Sequence, residues 1–223
     1  MIMPYDQDYQ ETKQIMLGNT TMKPEFKKLA EWIDKTYGVK TINIFFDTID
    51  EGTRPRLEIC FEFEQEKAPF YNKNKLNHQR DAQQAIQDKL EEVLKEQDLL
   101  KTGYYFTDNL WVIYGSFAPV AKWEANERVS QEDLLQLKKE INNSDLWEIS
   151  NRFSGVVFFL HTDAQVKKYA SSEARKIWTD KYFDLLNQYN EFGYFKREEF
   201  VIELDSKENF DKNYASNWYY YYK

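Results

Sequence analysis

The stretch Glu203-Leu204-Asp205-Ser206-Lys207 comes nearest to a catalytic signature in this chain. Alternate residues of a strand share a face, which sets Glu203, Asp205 and Lys207 on one side. An acid two residues before a lysine at the end of a strand is how metal-dependent nucleases present a metal ligand and a lysine. Such a centre needs a further acid from a neighbouring strand, and the sequence assigns none. A second group lies on one alternating strand, where Glu58, Cys60, Glu62 and Glu64 oppose the apolar Leu57, Ile59, Phe61 and Phe63. Like charges at that spacing call for solvation, a cation or a basic partner. The carboxylates beside Cys60 raise its thiol pKa, so it is not an activated nucleophile. The histidines, His78 and His161, offer little for nucleophilic or metal chemistry, and His161, at the end of an apolar strand, reads as a partly buried imidazole. Gly-rich phosphate loops and Cys/His clusters are absent from the sequence, so no cofactor and no bound metal are assigned.

The third group is aromatic. Phe210, Tyr214, Trp218, Tyr219, Tyr220, Tyr221 and Tyr222 crowd the final stretch of the sequence. Phe210, Tyr214 and Trp218 keep helical spacing, whereas the tyrosine run reads more as a strand. Tyr and Trp combine large contact area with polar tips, the composition of binding surfaces. The same residues can also pack on a sheet as its last strand.

Composition narrows the function classes. The 223 residues carry 30 Lys and Arg against 38 Asp and Glu, a net charge of −8. An evenly acidic surface repels phosphate backbones and anionic lipid, which disfavours nucleic acid and membranes as partners. It attracts basic proteins and speeds their encounter. Aromatics at 17% are too many for a disordered acidic polymer. No apolar run is long enough to span a bilayer, and the acidic start Met1-Ile2-Met3-Pro4-Tyr5-Asp6 lacks the features of a signal peptide. One cysteine fits a reducing compartment, so a cytoplasmic location is expected.

The elements that must position these groups follow from periodicity. Residues 1–19 show no sustained period and are expected to wrap the surface. Phe26, Leu29, Ala30, Ile33 and Tyr37 predict a helix between Pro24 and Gly38. Two strands joined by an acidic turn follow, with Asp47, Asp50 and Glu51 in the turn. After a polar loop over 66–77, Ala82, Ile86, Leu90, Val93 and Leu94 predict a long helix, and residues 110–120 a strand ended by Pro119. The second half repeats the order: a helix capped by Ser130, strands over 146–153 and 156–161, a helix from Ser172 and a strand over 200–204. The expected fold is α+β, with two tandem helix-strand-strand-helix-strand units over 1–122 and 123–223, or one continuous body. Antiparallel sheets with helices packed on one face are expected.

The helix, the acidic hairpin Asn43-Ile44-Phe45-Phe46 and Leu57-Glu58-Ile59-Cys60-Phe61-Glu62-Phe63, a second helix, and the ending Asn217-Trp218-Tyr219-Tyr220-Tyr221-Tyr222-Lys223 together resemble small acidic immunity proteins. Those proteins protect bacteria from polymorphic toxins, often nucleases, and commonly consist of one such unit where this chain has two. The resemblance implies a non-enzymatic protein that neutralises a cognate, basic toxin by docking on it. Asp47, Asp50, Glu51, Glu58, Glu62 and Glu64 are then the acidic contacts and Trp218 to Tyr222 the anchors. Two other readings stay open: a metal-dependent hydrolase or nuclease using Glu203, Asp205 and Lys207, and a small-ligand-binding domain with its pocket between the two units.

Overall fold

The computed structural model describes residues 3–71 and 79–223, in two compact units, Met1–Val120 and Ala121–Lys223. It is an α+β protein. The expectations for His78 and for the end of the 66–77 loop lie outside the described residues.

The first unit runs α1 (Gln7–Met16), α2 (Pro24–Tyr37), β1 (Thr41–Ile49), β2 (Arg54–Phe61), α3 (Arg80–Glu96), β3 (Trp111–Ser116) and the start of α4 (Phe117–Glu127), within which the division between units falls. Pro24 opens α2 where its missing N–H is no loss, and Gly38 stops it at φ 68. The sheet has the order β1-β2-β3, with β1 antiparallel and β3 parallel to β2. The sheet is therefore mixed, not antiparallel as expected. The long connection through α3 explains it, because a strand that returns through a helical crossover runs parallel to the one it left. One face, with Ile44, Phe46, Leu57, Ile59 and Phe61, packs on α2 and α3 through Phe26, Leu29, Ile33, Ile86 and Leu90. Phe70 stacks there on Phe61 at 5.3 Å and on Tyr114 at 4.5 Å.

Helices cover both faces of this sheet, which corrects the one-face expectation. The stretch expected to wrap the surface holds α1, which lies on the second face: Asn43 Nδ2 donates to Thr12 Oγ1 at 3.2 Å, and Tyr9 stacks on Phe117 at 5.2 Å. Only Tyr9 and Thr12 of α1 are buried, so the helix carries no apolar stripe for a periodicity argument to find. Pro119 does not end a strand. It sits in the first turn of α4, where proline is tolerated.

The second unit runs α5 (Gln131–Ile141), β4 (Leu146–Arg152), β5 (Gly155–Leu160), α6 (Asp163–Tyr169), α7 (Glu173–Leu186), β6 (Glu203–Ser206), α8 (Lys207–Tyr214) and α9 (Trp218–Tyr221). Its sheet again has the central strand antiparallel to the first and parallel to the third. Ile149, Phe158 and Leu160 pack on Leu134, Leu137, Trp178 and Tyr182 of α5 and α7. Val157 and Phe159, on the second face, meet Phe210, Trp218 and Tyr221 of α8 and α9. The tyrosine run is a short helix, not a strand.

The two units share details as well as topology. Both first strands bulge, between Thr41 and Asn43 and between Leu146 and Glu148. At each bulge the side chain accepts from the next backbone N–H, Ile44 to Asn43 Oδ1 at 3.0 Å and Ile149 to Glu148 Oε1 at 2.9 Å. Ser116 pairs with Phe61 in the first sheet and Ser206 with Leu160 in the second. Ser116 Oγ donates to Glu64 at 2.6 Å, and Ser206 Oγ donates to Asp163. Ala118 N–H reaches the Glu62 carbonyl at 2.9 Å, and Glu208 N–H reaches that of His161 at 3.3 Å.

A polar knot ties the second unit. Asn126, 1% exposed, accepts from Tyr182 Oη at 2.7 Å and donates to the Phe153 and Gly155 carbonyls at 3.0 and 2.8 Å. Removing one side of such bonds leaves buried groups unpaired. Asn126→Ala is expected to cost about 2–4 kcal/mol and Tyr182→Phe about 1 kcal/mol, read by urea denaturation.

Candidate functional site

The structure gathers its most unusual chemistry where α1 meets the first sheet. Asp8, Tyr9, Thr12, Phe45, Glu58, Cys60, Ser116, Phe117 and Val120 enclose a cavity of about 10 Å³. Glu58 is only 4% exposed and Asp8 is half-buried. The Glu58 carboxyl donates a hydrogen bond to the Asp8 carboxylate. Burial, and then the charge of Asp8, push Glu58 up to about 7, with Arg56 pulling the other way. Asp8 is raised too, again mainly by burial. Arg56 is already engaged by Asp47, with its Nε 2.8 Å from Asp47 Oδ1, and so neutralises the pair only in part. Burial first and Glu58 second push the Cys60 thiol up to about 12, which makes it inert as a nucleophile.

This arrangement corrects the acidic strand face. Glu58 and Cys60 lie beneath α1 and not in solvent. Glu62 and Glu64 follow the end of β2. Glu64 pairs with Lys67 at 2.7 Å and accepts from Ser116, and these contacts hold its carboxyl below the usual range despite partial burial. Asp47 is spent on Arg56. Asp47 and Glu64 stay exposed although paired, and the hairpin tip is outward as well. Asp50 and Glu51 are exposed and adopt left-handed backbone at φ 51 and 57, followed by Gly52 at φ 88. Gly52 N–H to the Ile49 carbonyl at 3.1 Å and Thr53 Oγ1 to the Asp50 carbonyl at 2.6 Å hold that turn. Among the described residues, no cation pairs with either carboxylate.

The aromatic ending divides into an inner and an outer set. Trp218 packs on Phe210 at 4.3 Å and stacks on Trp147 at 6.1 Å. Tyr221 Oη donates to Asp205 at 2.6 Å, and Tyr222 Oη to Ser150 Oγ at 2.7 Å. These three therefore close the second face of the sheet. Tyr219 and Tyr220 point outward, 68% and 54% exposed.

The chain matches no protein-family model, no curated protein and no solved structure. Its own geometry must carry the reading.

Glu203, Asp205 and Lys207 do not converge. Glu203 is exposed. The Asp205 carboxylate is saturated by Asn209 Nδ2, Tyr221 Oη and the Ser206 N–H. Lys207 opens α8, pairs with Asp211 and lies 5.3 Å over the Trp147 ring. Among the described residues no cluster of three His, Cys, Asp or Glu is arranged to hold a metal. His161 is exposed, which corrects its reading as partly buried. A groove of about 300 Å³ runs between α5 and α7, lined by Asp133, Glu140, Lys181 and Asp184 among others. Its lining is mixed in charge, unlike the apolar lining with a few convergent polar groups that small-ligand sites show.

Sequence reasoning missed the carboxyl pair because α1 gave no periodic signal. One hint was present: a free cysteine is among the most buried residue types, so Cys60 between two glutamates marks that face as covered.

Two predictions follow from this geometry. The folded protein keeps the Glu58 proton to a higher pH than the unfolded chain does, so the unfolded state binds fewer protons between the two values. The contribution of Glu58 to stability should be full below the ordinary glutamate range, fall by about 2–3 kcal/mol as pH rises through the interval that ends near 7, and then level off. Chemical denaturation across pH should show this slope in the wild type and lose it in Glu58→Gln. In the aromatic cluster, Trp218→Ala should cost about 2–4 kcal/mol, while Tyr219→Ala and Tyr220→Ala stay within about 0.5 kcal/mol, measured by thermal unfolding.

Proposed function

We propose that this chain is a non-enzymatic protein-binding module that recognises a basic protein, in the manner of an immunity protein neutralising a cognate toxin. The observation that carries the reading is the hairpin tip, where Asp50 and Glu51 are exposed in left-handed backbone and, among the described residues, have no cationic partner. The hairpin turn sets both residues in left-handed backbone and so fixes the two carboxylates at its tip. A net charge of −8 steers a basic protein toward the surface before contact.

Tyr219 and Tyr220 supply a second kind of contact. Their helix is fixed from below by Trp218 and Tyr221, so the outward rings are presented with little entropy left to lose. Tyrosines of this kind are enriched among residues that dominate binding energy. In a toxin that handles phosphate, the active site is basic, and carboxylates on the inhibitor take the place of the substrate's charges.

Co-expression with the product of the adjacent gene tests the reading. The expected result is survival of cells that otherwise die, together with a complex that co-purifies. Asp50→Asn/Glu51→Gln should slow association several-fold and flatten its salt dependence, whereas Tyr219→Ala/Tyr220→Ala should mainly speed dissociation. No protection and no complex would contradict the proposal.

A further inference from the structure

We propose that α1 is a proton-locked latch: one proton shared by Asp8 and Glu58 holds the helix on the second face of the first sheet, and loss of that proton loosens it. The proposal is independent of the docking reading above.

Its first support is the thinness of the contact. Apart from Tyr9 against Phe117 and the Asn43–Thr12 hydrogen bond, α1 buries little, so the carboxyl pair is a large share of what fastens it. A cavity of about 10 Å³ has room for no more than one water, so the Glu58 carboxyl, 4% exposed, is poorly hydrated there as an anion. The charged groups that act on Glu58 and Asp8 are known from each side. The α1 end brings Asp6, β1 brings Asp47, β2 brings Arg56, already bound to Asp47, and the segment after β2 brings Lys67 near Cys60, already paired with Glu64. The cavity lining from the end of β3 and from α4 is Ser116, Phe117 and Val120, none of them ionisable. The surroundings are thus net acidic, and losing the shared proton leaves two like charges in contact.

The second support comes from the other unit. Glu58 and Cys60 stand three and one residues before Phe61, the partner of Ser116; Val157 and Phe159 stand at the same places before Leu160, the partner of Ser206. There the side chains at these two positions are apolar, and they pack on Phe210, Trp218 and Tyr221. This topology therefore does not require a carboxyl pair at that position. Burial of an ionisable pair where an apolar pair serves as well makes the closure conditional on protonation, and the raised value of Glu58 places the condition below neutrality.

Amide hydrogen exchange on the full chain tests the latch, with rates in Gln7–Met16 corrected for the intrinsic pH dependence. The closed form holds one proton more than the open form between the ordinary glutamate range and about 7. Protection of α1 is therefore expected to fall about tenfold per pH unit over that interval and to level off above it, while β2 stays protected. Glu58→Gln should make α1 protection flat with pH; if that variant does not fold, Asp8→Asn should narrow the sloping interval without abolishing it, because burial still raises Glu58, and an interval as wide as in the wild type overturns the proposal. A flat wild-type profile overturns the proposal, as does a wild-type slope that Glu58→Gln retains. So does loss of protection in α1 and β2 together, which would mean opening of the whole unit and not of the helix.

Discussion

A three-stranded sheet has two faces, and in this protein neither face of either sheet is left to solvent. The first face of each sheet is closed by the amphipathic pair of helices that periodicity makes obvious, α2 with α3 and α5 with α7. The closing of the second face is the constraint on which the rest depends. In the second unit it sets Trp218, Tyr221 and Tyr222 inward, fastens two tyrosine hydroxyls to Asp205 and Ser150, and thereby turns Tyr219 and Tyr220 outward. In the first unit it brings α1 down on Glu58 and Cys60 and creates the buried carboxyl pair. The outward tyrosines and the coupled acids are both by-products of covering a sheet.

The two units solve the same problem with different chemistry. Their frames agree down to individual hydrogen bonds: the bulge in the first strand, the serine that closes the third strand onto a carboxylate, and the amide two residues beyond it that reaches back to the end of the central strand. A shared frame makes the differences informative. Where one unit fills its second face with Val157, Phe159 and Phe210, the other places two acids, an amide and a thiol. Apolar contact holds at any pH, whereas a carboxyl pair holds only while it keeps a proton. One cover is permanent and the other is conditional.

Much of the frame was legible in the sequence. Pro24 and Gly38 bracketed α2, Ser130 marked the cap of α5, and the alternation from Leu57 to Phe63 marked β2. These signals are local, and local chemistry decides them. The parallel third strands were readable too, since a helix-length crossover follows both β2 and β5, but hairpin logic was extended one strand too far. The second faces were not legible, because their partners come from distant, irregular segments. The helix α1 carries two buried positions and no stripe, and Trp218 to Tyr222 form a single helical turn in which alternate residues no longer share a face. Glu58 looked solvated because its strand alternates cleanly; only α1, from far upstream, removes it from water. The Glu203, Asp205 and Lys207 reading failed for a related reason. The strand ends at Ser206, so Lys207 starts a helix and leaves the face it was assigned to.

The central claim is that Glu58 shares a proton with Asp8 in a closed cavity. Carbon-13 NMR titration of the side-chain carboxyls reads it directly. Glu58 is expected to titrate near 7, with its proton loss reported also at the Asp8 carboxyl. A Glu58 carboxyl that titrates at the ordinary glutamate value would contradict the account, because it would mean that α1 leaves this residue open to water.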